Sequence, residues 1–181
     1  LEEAIKNRLQ KNKKPKAIIV VDSYGMPAKW DELLEISNKY EIPIIEDAAE
    51  ALGSVYKGKL CGNFGDYSIL SFNGNKIITT SSGGALLCRS KKDKERAIYL
   101  STQAKIDDAN YGDVGFNFRM SNVLAGLGLQ QLKVLEKRIE QRRLNHHRYS
   151  NLLAEMEGVE LQQEYSKDFY SNFWLNCITS D

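Results

Sequence analysis

Short apolar runs alternate with an amphipathic stretch in the first quarter of the chain. Residues 17–21 are apolar and rich in β-branched side chains, which predicts a strand buried on both faces of a sheet. Residues 28–40 carry apolar side chains at helical spacing, and residues 41–46 form a second apolar run that ends before Asp47. A strand, a helix and a strand within about thirty residues make a βαβ unit. We therefore predict an α/β fold built on a mostly parallel sheet flanked by helices.

The middle of the chain predicts two further strands, a helix and a polar loop. Residues 67–72 and 85–88 have the composition of strands, and residues 93–103 that of a helix. Residues 104–118 are rich in Asp, Asn and Gly and predict a long loop. A loop of that length in a compact domain is usually functional or disordered.

The pattern from Ser121 to about residue 155 is helical throughout, with Ser121 as the predicted N-cap and Gly158 as the helix terminator. The adjacent His146 and His147 are expected to be exposed on this helix, which argues against a catalytic triad or a Cys–His pair. The apolar positions that define the helix are Leu124, Leu127, Leu132, Leu135, Ile139, Leu144 and Tyr149.

Both ends of the sequence lie within patterned segments. The chain opens in what is expected to be the middle of an amphipathic helix, and residues 173–179 are strand-like with nothing after them to pair with. We therefore expect a piece of a longer polypeptide. Residues 1–155 would belong to a large domain that ends in the long helix, and residues 156–181 would begin a small C-terminal domain.

Charge and cysteine content narrow the class of protein. With 25 basic and 24 acidic side chains, the net charge of +1 gives no electrostatic reason to expect a nucleic acid or an anionic membrane surface as a partner. No run approaches the roughly 18 apolar residues that span a bilayer, and no signal peptide is apparent at the start. Cys61, Cys88 and Cys177 are too far apart in sequence for a zinc ligand pair. Their odd number suggests reduced thiols, hence a cytoplasmic protein.

Asp47 is the first candidate for chemistry. It follows a predicted buried strand, and ligands of open α/β sheets bind outside the carboxyl ends of the strands. A carboxylate there can meet a cationic or protonated group. Alternatively, Asp47 caps a short helix at residues 48–52.

Lys76 is the second candidate, because it follows a glycine-containing turn at the end of the third strand. A desolvated lysine becomes nucleophilic toward carbonyl carbon. Ser71 and the hydroxyl-rich residues 79–82, next to Gly83 and Gly84, could hold a phosphate. Alternatively, Lys76 is a surface lysine in a polar turn.

The third candidate is the segment that precedes the long helix, in which Asn117 and Arg119 alternate with Phe116 and Phe118. In an extended stretch, Asn117 and Arg119 would share one face and could bind an anion. Alternatively, the segment leads into the helix with two buried aromatic side chains. A dinucleotide-binding G-x-G-x-x-G and a phosphate-binding P-loop are both absent from the sequence.

Taken together, residues 45–54, 62–80, 83–84 and 115–121 resemble the sugar aminotransferases of the DegT/DnrJ/EryC1/StrS family. The resemblance extends over essentially the whole chain. It implies a fold-type-I transferase dependent on pyridoxal 5'-phosphate (PLP), usually a homodimer, in which residues 1–155 form part of the large PLP-binding domain.

The resemblance also assigns roles to single residues. Lys76 matches the lysine that forms the Schiff base with the cofactor, and Asp47 matches the carboxylate that keeps the pyridine nitrogen protonated. Ser71 matches a hydroxyl on the cofactor phosphate. Asn117 lies in the loop that reaches the neighbouring subunit's cofactor phosphate, where Arg119 is a weaker candidate.

Glu50 departs from the family pattern. It matches the position beside the cofactor's ring hydroxyl, which is commonly Gln or His, so a carboxylate there would need a shared proton.

The function implied is transfer of an amino group from glutamate to a keto group of a nucleotide-linked sugar. The run from Asn73 to Thr80 is most similar to members that aminate C4 of a UDP-linked 4-keto-6-deoxy-N-acetylhexosamine in bacterial glycan pathways. Two alternatives remain. One is a fold-type-I enzyme acting on amino acids, and the other is a regulatory or sensory protein with a degenerate PLP site.

Overall fold

The computed structural model describes residues 1–180 of the chain. The elements in chain order are α1 (Glu2–Gln10), β1 (Ile18–Val21), α2 (Trp30–Tyr40), β2 (Ile44–Asp47), β3 (Val55–Tyr56), β4 (Lys59–Leu60), β5 (Tyr67–Ser71), β6 (Gly84–Cys88), α3 (Lys91–Ser101), α4 (Asn122–Leu132), α5 (Leu135–Leu153), β7 (Val159–Leu161), β8 (Phe169–Tyr170) and β9 (Ile178–Ser180).

The central sheet has the strand order β1-β2-β5-β6 within the described residues. Strands β1, β2 and β5 are parallel, and β6 is antiparallel to β5. This arrangement confirms the predicted βαβ unit and the α/β class with a mostly parallel sheet. Val21 lies opposite Asp47, and Asp47 lies opposite Ile69. The carboxyl ends of the three parallel strands therefore meet at one edge of the sheet.

The main core lies under one face of this sheet. Trp30 of α2 is fully buried and stacks on Phe64 with ring centroids 4.8 Å apart. Ile5 of α1 belongs to the same cluster. The prediction that β1 is buried on both faces is wrong, because Ile19 on its other face is 68% exposed. Strand side chains alternate between faces, and α1 and α2 cover only one of them.

The helix predicted from residue 121 to residue 155 is two helices. Ser121 caps α4 as predicted, since its hydroxyl accepts from the backbone N–H of Leu124. The helix breaks at Val134, where φ is −111° and ψ is 8°, and this break lets Leu135 and Ile139 of α5 pack on the buried Ile77. Helix α5 ends at Leu153, so the predicted end at Gly158 is wrong. Gly158, with φ of 72°, instead belongs to the turn before β7.

The chain after α5 returns to the first half of the molecule. Strand β8 pairs antiparallel with β3, and Phe169 and Phe173 join the main core. Residues 173–179 are not one unpaired strand, because only Ile178–Ser180 is extended and it pairs back with β7. The β3–β4 hairpin was not predicted, since its strands have only two residues each.

His146 is buried, so its predicted exposure is wrong. Its ring stacks on Phe173 with centroids 3.6 Å apart, and Nε2 lies 2.8 Å from the carbonyl oxygen of Gln162. The helical pattern did not predict this contact, because Gln162 and Phe173 lie in the chain that follows α5. His147 is exposed, as predicted. None of the helices in residues 1–180 has the length and apolar character required to cross a membrane.

Candidate active site

Asp47 and Ser71 lie at the carboxyl edge of the parallel strands, as the sequence predicts. Asp47 is the last residue of β2 and Ser71 is the last residue of β5. The short helix proposed as an alternative at residues 48–52 is absent, and a turn takes its place. Asp47 Oδ1 accepts from the backbone N–H of Ala49 at 3.1 Å and so supports that turn. The carboxylate remains at the edge, half-buried, where a ligand of the sheet would lie.

Lys76 follows β5 in a compact turn. The turn is held by hydrogen bonds from Lys76 N to the carbonyl oxygen of Asn73 at 3.0 Å and from Thr80 N to that of Phe72 at 2.9 Å. The Lys76 side chain is only 12% exposed. The alternative of a surface lysine is therefore wrong, and the amine is largely removed from water.

Glu50 is the carboxylate that faces this amine. Lys76 Nζ lies 3.4 Å from Glu50 Oε1, and Glu50 Oε2 accepts from the backbone N–H of Tyr24 at 2.7 Å. Tyr24 has φ of 58°, and this unusual backbone conformation directs its N–H toward Glu50. The position that departs from the family pattern thus holds an ion pair with Lys76 in the structure.

Trp174 also contacts the amine. Lys76 Nζ lies 4.3 Å from the centroid of the Trp174 ring, within the range of a cation–π contact. The indole N–H of Trp174 donates to the carbonyl oxygen of Asn75 at 2.8 Å. Sequence reasoning missed Trp174 because residues 173–179 were assigned to a strand. The available signal was an Asn followed by two aromatic residues in a stretch without periodicity.

Asn117 and Arg119 stand apart from these residues. Both are exposed, and no hydrogen bond within residues 1–180 joins Asn117 to Lys76, Asp47, Glu50 or Ser71. Phe116 and Phe118 stack with centroids 4.9 Å apart and are 50% and 75% exposed. The alternative of a helix lead-in with two buried aromatic side chains is therefore wrong.

A buried carboxylate lies directly beneath the site. Glu46, the residue before Asp47, is fully buried and accepts hydrogen bonds from the backbone N–H groups of Gly62, Phe64 and Gly65 and from the hydroxyl of Ser68. These donors fix the end of β2 against the 61–65 turn. The backbone position of Asp47 is therefore determined by its neighbour.

Asp22, which follows β1, faces Glu46 and Cys61 in the same buried layer. Carboxylate oxygens of Asp22 and Glu46 and the Cys61 sulfur, atoms of the kind that bind metal ions, lie within 4.8 Å of one another. Asp22 Oδ1 accepts from Ala28 N at 2.8 Å and from Trp30 Nε1 at 3.1 Å, while Oδ2 has no hydrogen-bond partner among residues 1–180. Burial, reinforced by the charge of Glu46, raises the pKa of Asp22 to about 7. Burial also raises the pKa of the Cys61 thiol. Since N–H donors already surround Glu46, a shared proton explains this layer better than a metal ion.

The groups at the sheet edge fit pyridoxal phosphate. Lys76 has a largely buried amine that would suit the cofactor aldehyde, and Asp47 has a carboxylate that would suit a protonated ring nitrogen. Ser71 ends β5 at the same edge, where its hydroxyl can donate to a phosphate oxygen. The three groups are the types that this cofactor requires.

Comparison with known proteins gives one consistent family. The sequence pattern described as the DegT/DnrJ/EryC1/StrS aminotransferase family matches residues 1–181. A relative from Bacillus subtilis (strain 168), named putative pyridoxal phosphate-dependent aminotransferase EpsN, is 46% identical over 183 residues. That match covers 100% of this chain and 47% of the relative.

A second relative and a solved structure agree. The UDP-4-amino-4,6-dideoxy-N-acetyl-beta-L-altrosamine transaminase of Campylobacter jejuni subsp. jejuni (strain 81-176) is 35% identical over 182 residues, covering 98% of this chain and 44% of the relative. Helicobacter pylori PseC, an aminotransferase involved in the biosynthesis of pseudoaminic acid, has a TM-score of 0.90 and 26% identity, covering 100% of this chain and 49% of that structure. The chain thus spans about half the length of the relatives it matches.

Proposed function

This chain belongs to the DegT/DnrJ/EryC1/StrS aminotransferase family, and from that premise we propose that it forms the cofactor-binding part of a PLP-dependent sugar aminotransferase. The enzyme would move an amino group from glutamate to a keto group of a nucleotide-linked sugar. The observation that carries this proposal is the largely buried Lys76, held against Glu50 at 3.4 Å beside the carboxyl edge of the sheet. Removing a lysine amine from water costs free energy, but it activates the amine for covalent attachment to a cofactor.

Lys76 and Glu50 perform the proton transfers. When bound, PLP supplies an aldehyde that condenses with amines and a ring that withdraws electrons from the carbon bonded to that amine. Lys76 must lose a proton before its Nζ can attack the aldehyde, and Glu50 Oε1 at 3.4 Å is positioned to accept it. Lys76 Nζ would then act as general base and acid, taking the proton from the α-carbon of the amino donor and delivering it to the aldehyde-derived carbon of the cofactor, and it would carry the proton in the opposite direction in the second half of the reaction.

The remaining site residues bind and orient the cofactor. Asp47 holds a proton on the ring nitrogen, which makes the ring a better electron acceptor. Ser71 binds the phosphate, and Asn117, with Arg119 as the weaker candidate, contacts the cofactor phosphate of a neighbouring subunit. The exposure of Asn117 and its separation from Lys76 support a role in another subunit's site.

We propose C4 of a UDP-4-keto-6-deoxy-N-acetylhexosamine as the substrate position, within the synthesis of a bacterial polysaccharide or lipopolysaccharide. The Campylobacter jejuni relative, whose name describes a transaminase of a UDP-linked 4-amino sugar, supports this substrate class. The presence of both Lys76 and Asp47 disfavours the regulatory protein with a degenerate site. The names of relatives that act on nucleotide-linked sugars disfavour an enzyme of amino acids.

The organisation of the whole enzyme is proposed on the same basis. Residues 1–155 would belong to the large PLP-binding domain, and residues 156–181 would begin the small C-terminal domain. The enzyme would be a homodimer and would work in the cytoplasm, where nucleotide sugars and glutamate are its partners. The exposed aromatic pair of Phe116 and Phe118 supports a subunit interface that includes these two side chains.

The test uses the full-length polypeptide that contains this chain, incubated with PLP and reduced with borohydride. We expect peptide mass mapping to find the cofactor adduct on Lys76. The adduct and the amine transfer from glutamate to UDP-linked 4-keto sugars should both be lost in Lys76→Ala. Lys94→Ala, at an exposed lysine of α3, is the matched control and should retain both.

Two results would contradict the proposal. If Lys76 carries no adduct in the folded full-length protein, the proposed enzymatic function is contradicted and the regulatory protein with a degenerate site is favoured. Amine transfer to keto acids in preference to keto sugars would leave the cofactor site intact but replace the sugar substrate with amino acids.

A further inference from the structure

Residues 171–174, which we call the return segment, follow α5 and β8 and come back to the candidate active site. Trp174 is 5% exposed, and its ring centroid lies 4.3 Å from Lys76 Nζ. Its indole N–H donates to the carbonyl oxygen of Asn75, the residue before the lysine, at 2.8 Å. One side chain therefore contacts both the amine and the backbone that carries it.

These two contacts require different properties of the side chain. The contact with Nζ needs the face of an aromatic ring, because the ring quadrupole attracts a cation. The contact with Asn75 needs an N–H donor on that same ring. Of the common side chains, only Trp meets both requirements with this reach, so phenylalanine would retain the first contact and leucine neither.

Asn172 anchors the return segment to the loop that carries Glu50. Its Nδ2 donates to the carbonyl oxygens of Glu50 at 2.8 Å and Leu52 at 3.0 Å, and its Oδ1 accepts from Trp174 N at 2.8 Å. Asn172 is fully buried. The return segment thus fixes the backbone of Glu50, which pairs with Lys76. It also fixes the ring of Trp174, which covers Lys76.

The close packing around Asn172 depends on Gly25. A Cβ at Gly25 would lie 1.9 Å from Asn172 Oδ1, and its φ of +90° favours glycine. The hydroxyls of Ser54 and Ser171 both donate to the carbonyl oxygen of Gly25, at 2.7 Å and 2.9 Å. The return segment is therefore locked to the 22–25 and 50–54 loops, and Trp174 has little freedom to move away from Lys76.

We propose that Trp174 is a positioning residue for Lys76, shielding one side of the amine and holding it against Glu50 through the ring while the indole N–H fixes the lysine turn. This proposal rests on the proposed role of Lys76 as the cofactor-attachment residue. It gives a segment outside the predicted large domain a direct part in orienting the reactive amine.

The first test measures how far Lys76 is shielded, without the cofactor. The full-length apoprotein is treated with limiting acetic anhydride, and peptide mass mapping compares acetylation of Lys76 with that of the exposed Lys94. We expect Trp174→Leu to raise the ratio about tenfold, because the amine gains both access and freedom. Trp174→Phe should raise it by a smaller factor, about threefold, because it keeps the ring but leaves the Asn75 carbonyl without its donor.

Ile139→Val is the matched control for lost packing. Ile139 lies in the same small cluster as Trp174 and is equally buried at 5% exposed, but it does not contact the lysine amine. Thermal unfolding should show a loss of stability in this variant with an unchanged acetylation ratio. If Trp174→Leu does not fold, Trp174→Phe decides the outcome.

The second test measures orientation in the loaded protein by the circular dichroism of the cofactor absorption band, per bound cofactor. We expect Trp174→Leu to reduce this signal by about half, because an amine without a fixed direction gives the cofactor less asymmetric surroundings. An unchanged acetylation ratio and an unchanged cofactor signal in the folded Trp174 variants would overturn the proposal. An absent adduct on Lys76 in the unmodified protein, together with a raised ratio in Trp174→Leu, would retain the positioning role and remove only the proposed function.

Discussion

The Asp22 carboxyl shows how a single buried group can make the stability of the whole fold depend on pH. Its Oδ1 accepts from Ala28 and Trp30, while Oδ2 has no partner within residues 1–180 and faces the layer that contains Glu46. Burial is the largest cause that raises the pKa of Asp22, from 3.8 to about 7. A proton on Oδ2, directed toward Glu46, would satisfy the unpaired oxygen and remove the repulsion between two carboxylates.

A raised pKa in the folded state means that the folded protein binds the Asp22 proton more tightly than the unfolded chain does. The contribution to stability is therefore fully present below about pH 4 and is lost as the pH rises to about 7. We expect the free energy of unfolding to fall by a few kcal/mol across this range because of Asp22 alone. Urea unfolding at a series of pH values measures this fall.

Asp22→Asn is the discriminating variant, because the amide keeps an acceptor for Ala28 and Trp30 and offers an N–H donor toward Glu46. We expect this variant to lose less stability between about pH 4 and pH 7 than the unmodified protein. Asp108→Asn, at an exposed carboxyl group of the polar loop, should keep the unmodified pH profile. Equal slopes for the unmodified protein and Asp22→Asn would show that Asp22 carries no raised pKa.

At the scale of elements, the docking of α5 onto the chain that follows it depends on Arg143. Its Nη1 donates to Glu164 Oε1 and to the carbonyl oxygen of Ser171, both at 2.6 Å. The guanidinium group also lies 4.0 Å from the centroid of the Tyr170 ring. A planar group with several donors can make these contacts together, whereas the ammonium of lysine cannot.

We expect Arg143→Lys to lower the free energy of unfolding by about 1–2 kcal/mol, since the ion pair is about three-quarters buried and loses its fork geometry. Chemical denaturation measures this loss. A double-mutant cycle with Glu164→Gln should give a favourable coupling energy between the two side chains, because they are in direct contact. Arg138→Lys, at an exposed arginine of the same helix, is the control, and equal losses in the two lysine variants would contradict a specific role for Arg143.

Local pattern was sufficient for the elements that lie along the sheet and for the residues at its edge. Strands β1, β2, β5 and β6 follow from their apolar runs, and Asp47 and Ser71 follow from the ends of those strands. Long-range contacts decided what was missed. His146 is buried by Phe173, and Trp174 covers a lysine 98 positions earlier, so neither environment is visible in a window of adjacent residues.

Two of the other differences have local causes. The 48–52 turn has the apolar composition of a helix, but Gly53 follows it with φ of 83°, a conformation that does not continue a helix. The break at Val134 changes the direction of the helix so that α5, and not α4, packs on Ile77. Both depend on the backbone conformation of one residue, which periodicity does not report.

At the scale of the whole molecule, apolar side chains gather on the surface between the polar loop and α4. The aromatic pair of Phe116 and Phe118 is exposed, and so are Val114 and Val123 on either side of it. Large apolar side chains left exposed along one segment are typical of an interaction site. The proposed homodimer would cover it and would bring Asn117 to the neighbouring subunit.

We expect Phe118→Asp to weaken self-association of the full-length protein, because it places a charge in an apolar interface. Sedimentation velocity over a concentration series should show a dissociation constant raised at least about tenfold, which corresponds to roughly 1.4 kcal/mol. Tyr165→Asp is the matched control, since Tyr165 is similarly exposed but lies outside this surface. An unchanged dissociation constant for Phe118→Asp would place the subunit interface elsewhere.

The contacts that lock the return segment also join residues that are far apart in the sequence. Ser171 bonds to Gly25 over 146 positions, and Trp174 bonds to Asn75 over 99. Contacts of such separation close large loops and therefore form late in folding. During synthesis on the ribosome, Lys76 emerges long before its covering tryptophan. The parallel strands can pair early, but the reactive amine acquires its final surroundings only after residue 174 has left the exit tunnel.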